Sequence, residues 1–194
     1  MQLILASASP RRQKILEIIT RDFTVVVSGS DESLVREENP AKLVEELSFL
    51  KAKTVLEANP HALVIGADTI VVKDGEIMGK PRNDEDAFRM LSKLSNSTHH
   101  VFTGVTILKG NIRDSFFVDS SVNFFCLSEK EILDYIKTGE PRDKAGAYGI
   151  SGRGVLFVES ICGDFYSVCG LPVAMLKRHL ENLGFTCTQQ KFAV

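Results

Sequence analysis

The stretch ASASPRR, residues 6–12, places two serines, a proline and two adjacent arginines between an apolar run and a new amphipathic pattern. Ser9 can cap a helix, and Pro10 fits the first helical position. The free N–H groups of that helix start, together with the guanidinium groups of Arg11 and Arg12, suit a phosphate. The alternative is an ordinary helix start with solvated arginines. Because the helix dipole disfavours cations in the first turn, two arginines there favour an anionic partner.

Carboxylates and lysines that could act on such an anion follow along the chain. Asp68 in GADT ends an apolar run, where open α/β sheets place their sites, although an Asx-turn before Thr69 explains the residue equally well. Glu32 in GSDES could bind a ligand or cap a turn. Lys51 and Lys53 lie two positions apart on a predicted helix, so we expect one to face a site and the other to face water.

The apolar pattern predicts an α/β scaffold for these side chains. Predicted strands cover residues 3–5, 23–27, 62–65, 69–72, 101–108, 112–127 and 155–162, with a last one near Phe185, and predicted helices start at Pro10, 40, 84, 128 and 172. The loop TGEPRDKAGAYGISGRG, residues 138–154, is too long for a simple connection, which favours a functional role. We expect a mixed sheet with outer helices, folded into two lobes around a deep cleft.

Composition limits the function classes. The 194 residues are 44% hydrophobic and carry a formal net charge of −2, which favours a small charged ligand over nucleic acid. No run approaches the roughly 20 apolar residues needed to span a bilayer, and no leader pattern is present, so we expect a cytoplasmic protein without a membrane role. The four cysteines form no CxxC pair, and their apolar neighbours predict buried reduced thiols at Cys126, Cys162, Cys169 and Cys187.

Eight motifs occur in order along nearly the whole chain: ASASPRRQKIL, GSDES, LSFLKAK, IGADTIV, GKPRNDEDAFRML, HHVFTGV, GEPRDKAGAYGI and GDFYSVCGLPV. Together they resemble the Maf family of nucleoside triphosphate pyrophosphatases. The resemblance implies a single Maf domain over residues 1–194 with the elongated mixed sheet of the Maf/Ham1 fold. It also implies hydrolysis of a nucleoside triphosphate to the monophosphate and pyrophosphate with a divalent cation, Mg²⁺ or Mn²⁺. Members of the family often form dimers, so a homodimer is an assembly that the resemblance allows.

The same resemblance assigns roles to individual residues. Asp68 resembles the family's general base, and Asp68 and Glu32 would hold the metal. The remaining active-site residues that the motifs imply are Lys51, Lys80, Ser7, Arg11 and Arg12. Physical chemistry agrees with this assignment, because cleaving a phosphoanhydride requires cations around a polyanion and a carboxylate that positions water.

Base specificity rests on fewer residues. The segment DKAGAYGI resembles the branch of the family that acts on dTTP and UTP, in which Arg11, Thr69 and a glutamine after AYGI look like specificity positions. Here that last position is Ser151, whose shorter side chain predicts weaker discrimination against CTP and modified pyrimidines unless water or Arg153 substitutes. A serine that only caps the turn before Gly152 is the alternative.

Two other functions remain open at this point. One is 7-methyl-GTP pyrophosphatase activity, which characterises another branch of the family. The other is a non-catalytic nucleotide-binding regulator of septum formation, since the family is also associated with arrest of cell division. The presence of Asp68 favours turnover over regulation alone.

Overall fold

The computed structural model describes residues 2–186, which form a mixed α/β fold. The strands are β1 (Leu3–Ala6), β2 (Thr24–Val25), β3 (Leu63–Lys73), β4 (Glu76–Met78), β5 (Thr98–Lys109), β6 (Ile112–Phe124) and β7 (Val158–Cys162). The α-helices are α1 (Pro10–Leu16), α2 (Pro40–Ala58), α3 (Asp84–Leu94), α4 (Glu129–Ile136), α5 (Phe165–Val168) and α6 (Val173–Asn182). No helix in this part of the chain has the length and apolarity needed to cross a membrane.

The strands form one sheet in the order β2-β1-β3-β5-β6-β7, with β4 paired to β3. β1 runs parallel to both β2 and β3, whereas the pairs β3–β4 and β6–β7 are antiparallel. The mixed sheet of the sequence prediction is therefore confirmed. A turn at Asp74 and Gly75 joins β3 to β4, and both residues have positive φ angles, 51° and 78°.

The chain divides into two compact units. Within the described residues, the first comprises 2–68, 103–118 and 170–186, and the second comprises 69–102 and 119–169. The first unit buries a core cluster in which β1, α2 and β3 supply most of the apolar side chains: Ile4, Ala6, Ala52, Val55, Ala62, Val64 and Leu108. The second unit buries its own apolar side chains, among them Met78, Leu91, Leu94 and Phe124. The single domain and the cleft stay predictions.

Two glycines allow α2 to pack with its backbone directly against the sheet. A Cβ atom on Gly66 would lie 2.2 Å from the carbonyl oxygen of Ser48, and one on Gly104 would lie 2.3 Å from that of Val44. Contacts this short are not tolerated, so only glycine fits at both positions. The register of α2 on β3 and β5 is therefore set by backbone contact.

Several predicted elements need correction. The two apolar runs at 62–65 and 69–72 belong to one strand, β3, because the intervening GAD residues continue the extended backbone. The strand predicted at 23–27 is reduced to two paired residues, Thr24–Val25. Phe185 is not in a strand, and the rest of that predicted element lies in 187–194, outside the described residues.

The cysteine prediction holds in part. Cys169 is buried, as expected, but Cys126 and Cys162 are exposed, so apolar sequence neighbours did not indicate burial at these two positions. Cys126 and Cys162 are free thiols. Cys187 lies outside the described residues.

Candidate functional site

The serines of ASASPRR organise the start of α1. Ser9 is the helix cap, as predicted, and its side chain accepts the backbone N–H of Arg12 at 3.5 Å. Ser7 is buried, and its hydroxyl oxygen accepts a hydrogen bond from the backbone N–H of Ser9 at 3.2 Å and from Nη1 of Arg12 at 3.4 Å. Both hydroxyls therefore support the turn between β1 and α1.

Arg12 connects this turn to two other segments of the first unit. Its Nε donates to the carbonyl oxygen of Gly170 and its Nη1 to that of Ala67, both at 2.8 Å. Burial lowers the pKa of Arg12, while the nearby Asp68 carboxylate partly offsets that shift. An arginine stays charged under such a shift, so Arg12 is an oriented, half-buried cation.

Asp68 lies in the middle of β3 rather than at its end, which corrects the prediction. The pairing of β1 with β3 ends where Ala6 meets Gly66, and Asp68 follows two residues later. Asp68 therefore lies just beyond the carboxyl end of the neighbouring strand, beside the turn into α1. The side chain is buried, with 8% of its residue surface exposed, and lies within the strand rather than in the Asx-turn considered above.

Lys51 of α2 bridges two carboxylates. Its Nζ lies 2.5 Å from Oδ1 of Asp68 and 3.1 Å from Oε1 of Glu32. Glu32 begins a 3₁₀ turn, Glu32–Leu34, capped by the carboxylate of Asp31. Lys53 is exposed. Lys51 thus faces these carboxylates and Lys53 faces water, as the helical spacing predicts.

The paired carboxylates fit a hard divalent cation. Asp68 and Glu32 both direct an oxygen to one ammonium group, so they already converge on a single positive charge. Mg²⁺ is commonly held by one or two carboxylates, with substrate phosphates and water as its other ligands. Within residues 2–186 there is no cluster of three or more His, Cys, Asp or Glu side chains suited to a metal, so such an ion would need ligands from the substrate.

The remaining predicted site residues belong to the second unit. Thr69 follows Asp68 directly on β3 and is half-buried. Lys80 is exposed, and the loop that carries it is fixed by the backbone N–H of Gly146, which donates to the carbonyl oxygen of Gly79 at 3.1 Å. The structure thus brings together Ser7, Arg12, Glu32, Lys51 and Asp68 in the first unit, with Arg11 beside Arg12 on α1.

Ser151 lies in a turn held by a residue that the sequence analysis missed. Its side chain is exposed and has no hydrogen-bond partner in the part of the chain that the structure describes, so it does not cap the turn before Gly152. The carboxylate of Glu140 instead accepts the backbone N–H of Arg153 at 2.9 Å and that of Gly154 at 3.4 Å. The sequence signal was the glutamate at the second position of the long GEPRDKAGAYGI segment.

The fold and site define an α/β protein whose candidate site combines guanidinium, ammonium and carboxylate groups at the end of a parallel strand. The chain belongs to the family described as Maf-like protein, whose model matches residues 2–183. The family resemblance stated from the motifs is confirmed.

Curated relatives match along nearly their whole length. A dTTP/UTP pyrophosphatase of Geobacillus sp. (strain WCH70) is 48% identical over 184 residues, covering 95% of this chain and 99% of that protein. Proteins of the same name from Bacillus pumilus (strain SAFR-032) and Symbiobacterium thermophilum are 47% and 46% identical, each over 95% of this chain and over 98% and 95% of their own length. Among solved structures, the Staphylococcus aureus Ham1 protein aligns with a TM-score of 0.48 and 16% identity, over 64% of this chain and 72% of that one.

Proposed function

We propose that this protein hydrolyses dTTP and UTP to the corresponding monophosphate and pyrophosphate. The observation that carries the proposal is the buried Asp68 carboxylate, oriented by Lys51 beside the start of α1. Relatives at 46–48% identity are named dTTP/UTP pyrophosphatase, which supports the substrate class.

In this proposal Asp68 is the general base. The ammonium of Lys51 contacts Oδ1, which leaves the second carboxylate oxygen to accept a proton from a water molecule. Because Asp68 is held in a buried strand, its carboxylate needs little reorganisation when the water attacks phosphorus. The P–O bond between the α- and β-phosphates breaks, and the electron pair leaves with pyrophosphate.

Cationic side chains would hold the triphosphate. Arg11 is half-buried at the start of α1, and Lys80 is exposed. Neither side chain has an ion-pair partner within residues 2–186. An unpaired guanidinium and an unpaired ammonium are suited to phosphate oxygens. Ser7 and Arg12 would then fix the turn that presents Arg11, and Thr69 and Ser151 would contact the nucleoside.

A divalent cation, Mg²⁺ or Mn²⁺, would be held by Asp68 and Glu32 together with phosphate oxygens. Such an ion supplies charge neutralisation at the phosphates during hydrolysis. Lys51 holds the same two carboxylates together at 2.5 and 3.1 Å, so this chain itself sets their spacing before an ion binds.

A substrate panel tests the proposal. Pyrophosphate release should be measured with dTTP, UTP, CTP and 7-methyl-GTP, each with Mg²⁺ and with Mn²⁺, and binding of each nucleotide should be measured by calorimetry. We expect the highest kcat/KM for dTTP and UTP. A preference for 7-methyl-GTP would assign the other branch of the family, and tight binding of all four nucleotides without turnover would support the non-catalytic regulator.

A cytoplasmic location, a homodimer and the absence of nucleic-acid binding belong to the same proposal. The near-neutral charge of the chain supports a small anionic substrate rather than a polyanion. Sedimentation at several protein concentrations measures the assembly, and titration with labelled RNA and DNA measures nucleic-acid binding.

A further inference from the structure

Glu140 holds the Ser151 loop, residues 149–154, through both of its carboxylate oxygens. Oε2 accepts the backbone N–H of Arg153 at 2.9 Å. Oε1 accepts that of Gly154 at 3.4 Å and also the hydroxyl of Tyr135 at 3.0 Å. One side chain thus accepts bonds from the end of this loop and from α4.

Tyr135 extends this connection to the beginning of the loop. Its hydroxyl is buried, donates to Glu140 and accepts the backbone N–H of Gly149 at 3.1 Å. The Glu140 carboxylate therefore fixes the loop at 153–154 directly and at 149 through Tyr135, while Ser151 lies between these points.

The backbone of Glu140 is itself fixed. Its N–H donates to the hydroxyl of Thr138 at 3.2 Å, and its carbonyl oxygen accepts Nζ of Lys144 at 2.8 Å. The carboxylate is therefore presented from an anchored residue. Hydrogen bonds to a charged acceptor are stronger than neutral ones, so this carboxylate is a strong polar support of the loop.

Gly152 leaves the space that the carboxylate fills. A Cβ atom on Gly152 would lie 2.3 Å from Oε1 of Glu140 and 2.7 Å from Oε2. The φ angle of Gly152 is −125°, so the backbone itself would accept an alanine. A side chain at this position would therefore displace the Glu140 carboxylate from the loop.

We propose that Glu140 is a positioning residue that fixes the backbone of the Ser151 loop and thereby sets base selectivity. The inference rests on the proposed function, since it assumes that Ser151 and its neighbours face the nucleoside. Glu140 contacts the backbone of the loop. In this proposal the residues of the loop, and not Glu140, contact the substrate.

The test compares Glu140→Ala, Glu140→Gln, Gly152→Ala and the double variant Glu140→Ala/Gly152→Ala, with Glu129→Gln as the control. Glu129 is an exposed glutamate in the same unit, and its side chain makes no hydrogen bond or ion pair with the loop within the described residues. The readouts are kcat and KM for dTTP, UTP and CTP, and hydrogen exchange of the loop amides.

We expect Glu140→Ala to lower the kcat/KM ratio of dTTP over CTP about tenfold, the size of one lost charge-assisted hydrogen bond. Exchange at the Arg153 amide should accelerate. Glu140→Gln keeps one acceptor oxygen and should give a smaller change. Gly152→Ala should displace the carboxylate and reproduce Glu140→Ala, whereas the double variant should be no worse than either single one.

Two results would overturn the inference. One is an equal loss of kcat/KM for all three nucleotides with unchanged loop exchange. The other is full additivity of the two alanine changes, since no shared contact would then exist. If the wild-type protein releases no pyrophosphate from dTTP or UTP, the proposed function fails separately. The inference is then tested by binding: it fails too unless the same variants change the ratio of the dissociation constants for dTTP and CTP.

Discussion

Replacing Gly66 with alanine should damage both stability and the geometry around Asp68. The new Cβ would lie 2.2 Å from the carbonyl oxygen of Ser48 and 2.9 Å from the backbone nitrogen of Ala52. Both atoms belong to the backbone of α2, and Lys51 lies between them in sequence. The helix must therefore move away from β3, because neither backbone atom can rotate aside.

The size of the effect follows from these distances. The Cβ–oxygen separation is about 1 Å short of ordinary van der Waals contact, so α2 has to shift by a comparable amount. Overpacking of this kind costs about 1–3 kcal/mol of the free energy of unfolding. A 1 Å displacement of Lys51 from Asp68 would lower kcat by up to about 10²-fold if Asp68 is the base.

Urea denaturation and steady-state pyrophosphate release measure the two effects separately. Gly104→Ala is the matched control, since its Cβ would lie 2.3 Å from the carbonyl oxygen of Val44, two turns before Lys51. We expect a similar stability loss but a smaller drop in kcat. A Gly66→Ala protein within about 0.5 kcal/mol of wild type and with normal kcat would refute the backbone-contact argument.

Three further predictions concern single side chains. Asp68→Asn should lower kcat about 10²-fold or more while leaving the circular dichroism spectrum intact, because an amide cannot accept the proton of the attacking water; near-normal kcat would remove Asp68 from this role. Lys80→Ala and Arg11→Ala should each lower kcat/KM, since each cation would contact phosphate in the ground and transition states; unchanged kcat/KM in both variants would contradict their proposed role in phosphate binding. His99→Gln should flatten the acid side of the stability profile. Burial, followed by repulsion from Lys73, lowers the pKa of His99 to about 3. The neutral imidazole therefore makes its full contribution to the free energy of unfolding above the unfolded pKa near 6.5, and this contribution falls as the pH drops toward 3. Glutamine can keep the hydrogen bond that His99 makes to Tyr148. Measured by urea denaturation, the free energy of unfolding should fall between pH 7 and pH 5 by about 2 kcal/mol less in the variant than in wild type. An equal fall in both proteins would contradict the lowered pKa of His99.

The sequence predicted the local features of the site well. Capping by Ser9 depends only on a side chain and the next three residues, and the structure has it. The spacing of Lys51 and Lys53 likewise determined that the two side chains diverge, and only Lys51 is paired with carboxylates. Both inferences needed nothing beyond helical geometry.

Features that depend on distant contacts were not predictable in this way. An aspartate within a strand looks like a strand end in a hydrophobic pattern, whereas the structure shows that β1, not β3, ends beside Asp68. The part played by Glu140 depends on 3₁₀ turns that bring residues 135, 140 and 153 together. The exposure of Cys126 and Cys162 similarly depends on tertiary packing rather than on neighbouring residue types.

The two bonds of Arg12 to the carbonyl oxygens of Ala67 and Gly170 have an evolutionary consequence. Both acceptors belong to the backbone, so no substitution at either position can remove the oxygen itself, and none can compensate for a changed residue at position 12. An ion pair between two side chains can be exchanged in sign or can co-vary, but these two contacts cannot. These contacts should therefore keep arginine at position 12 in related sequences without a covarying partner position. Conservation at that one position would reveal them, whereas an analysis of covarying pairs would miss them.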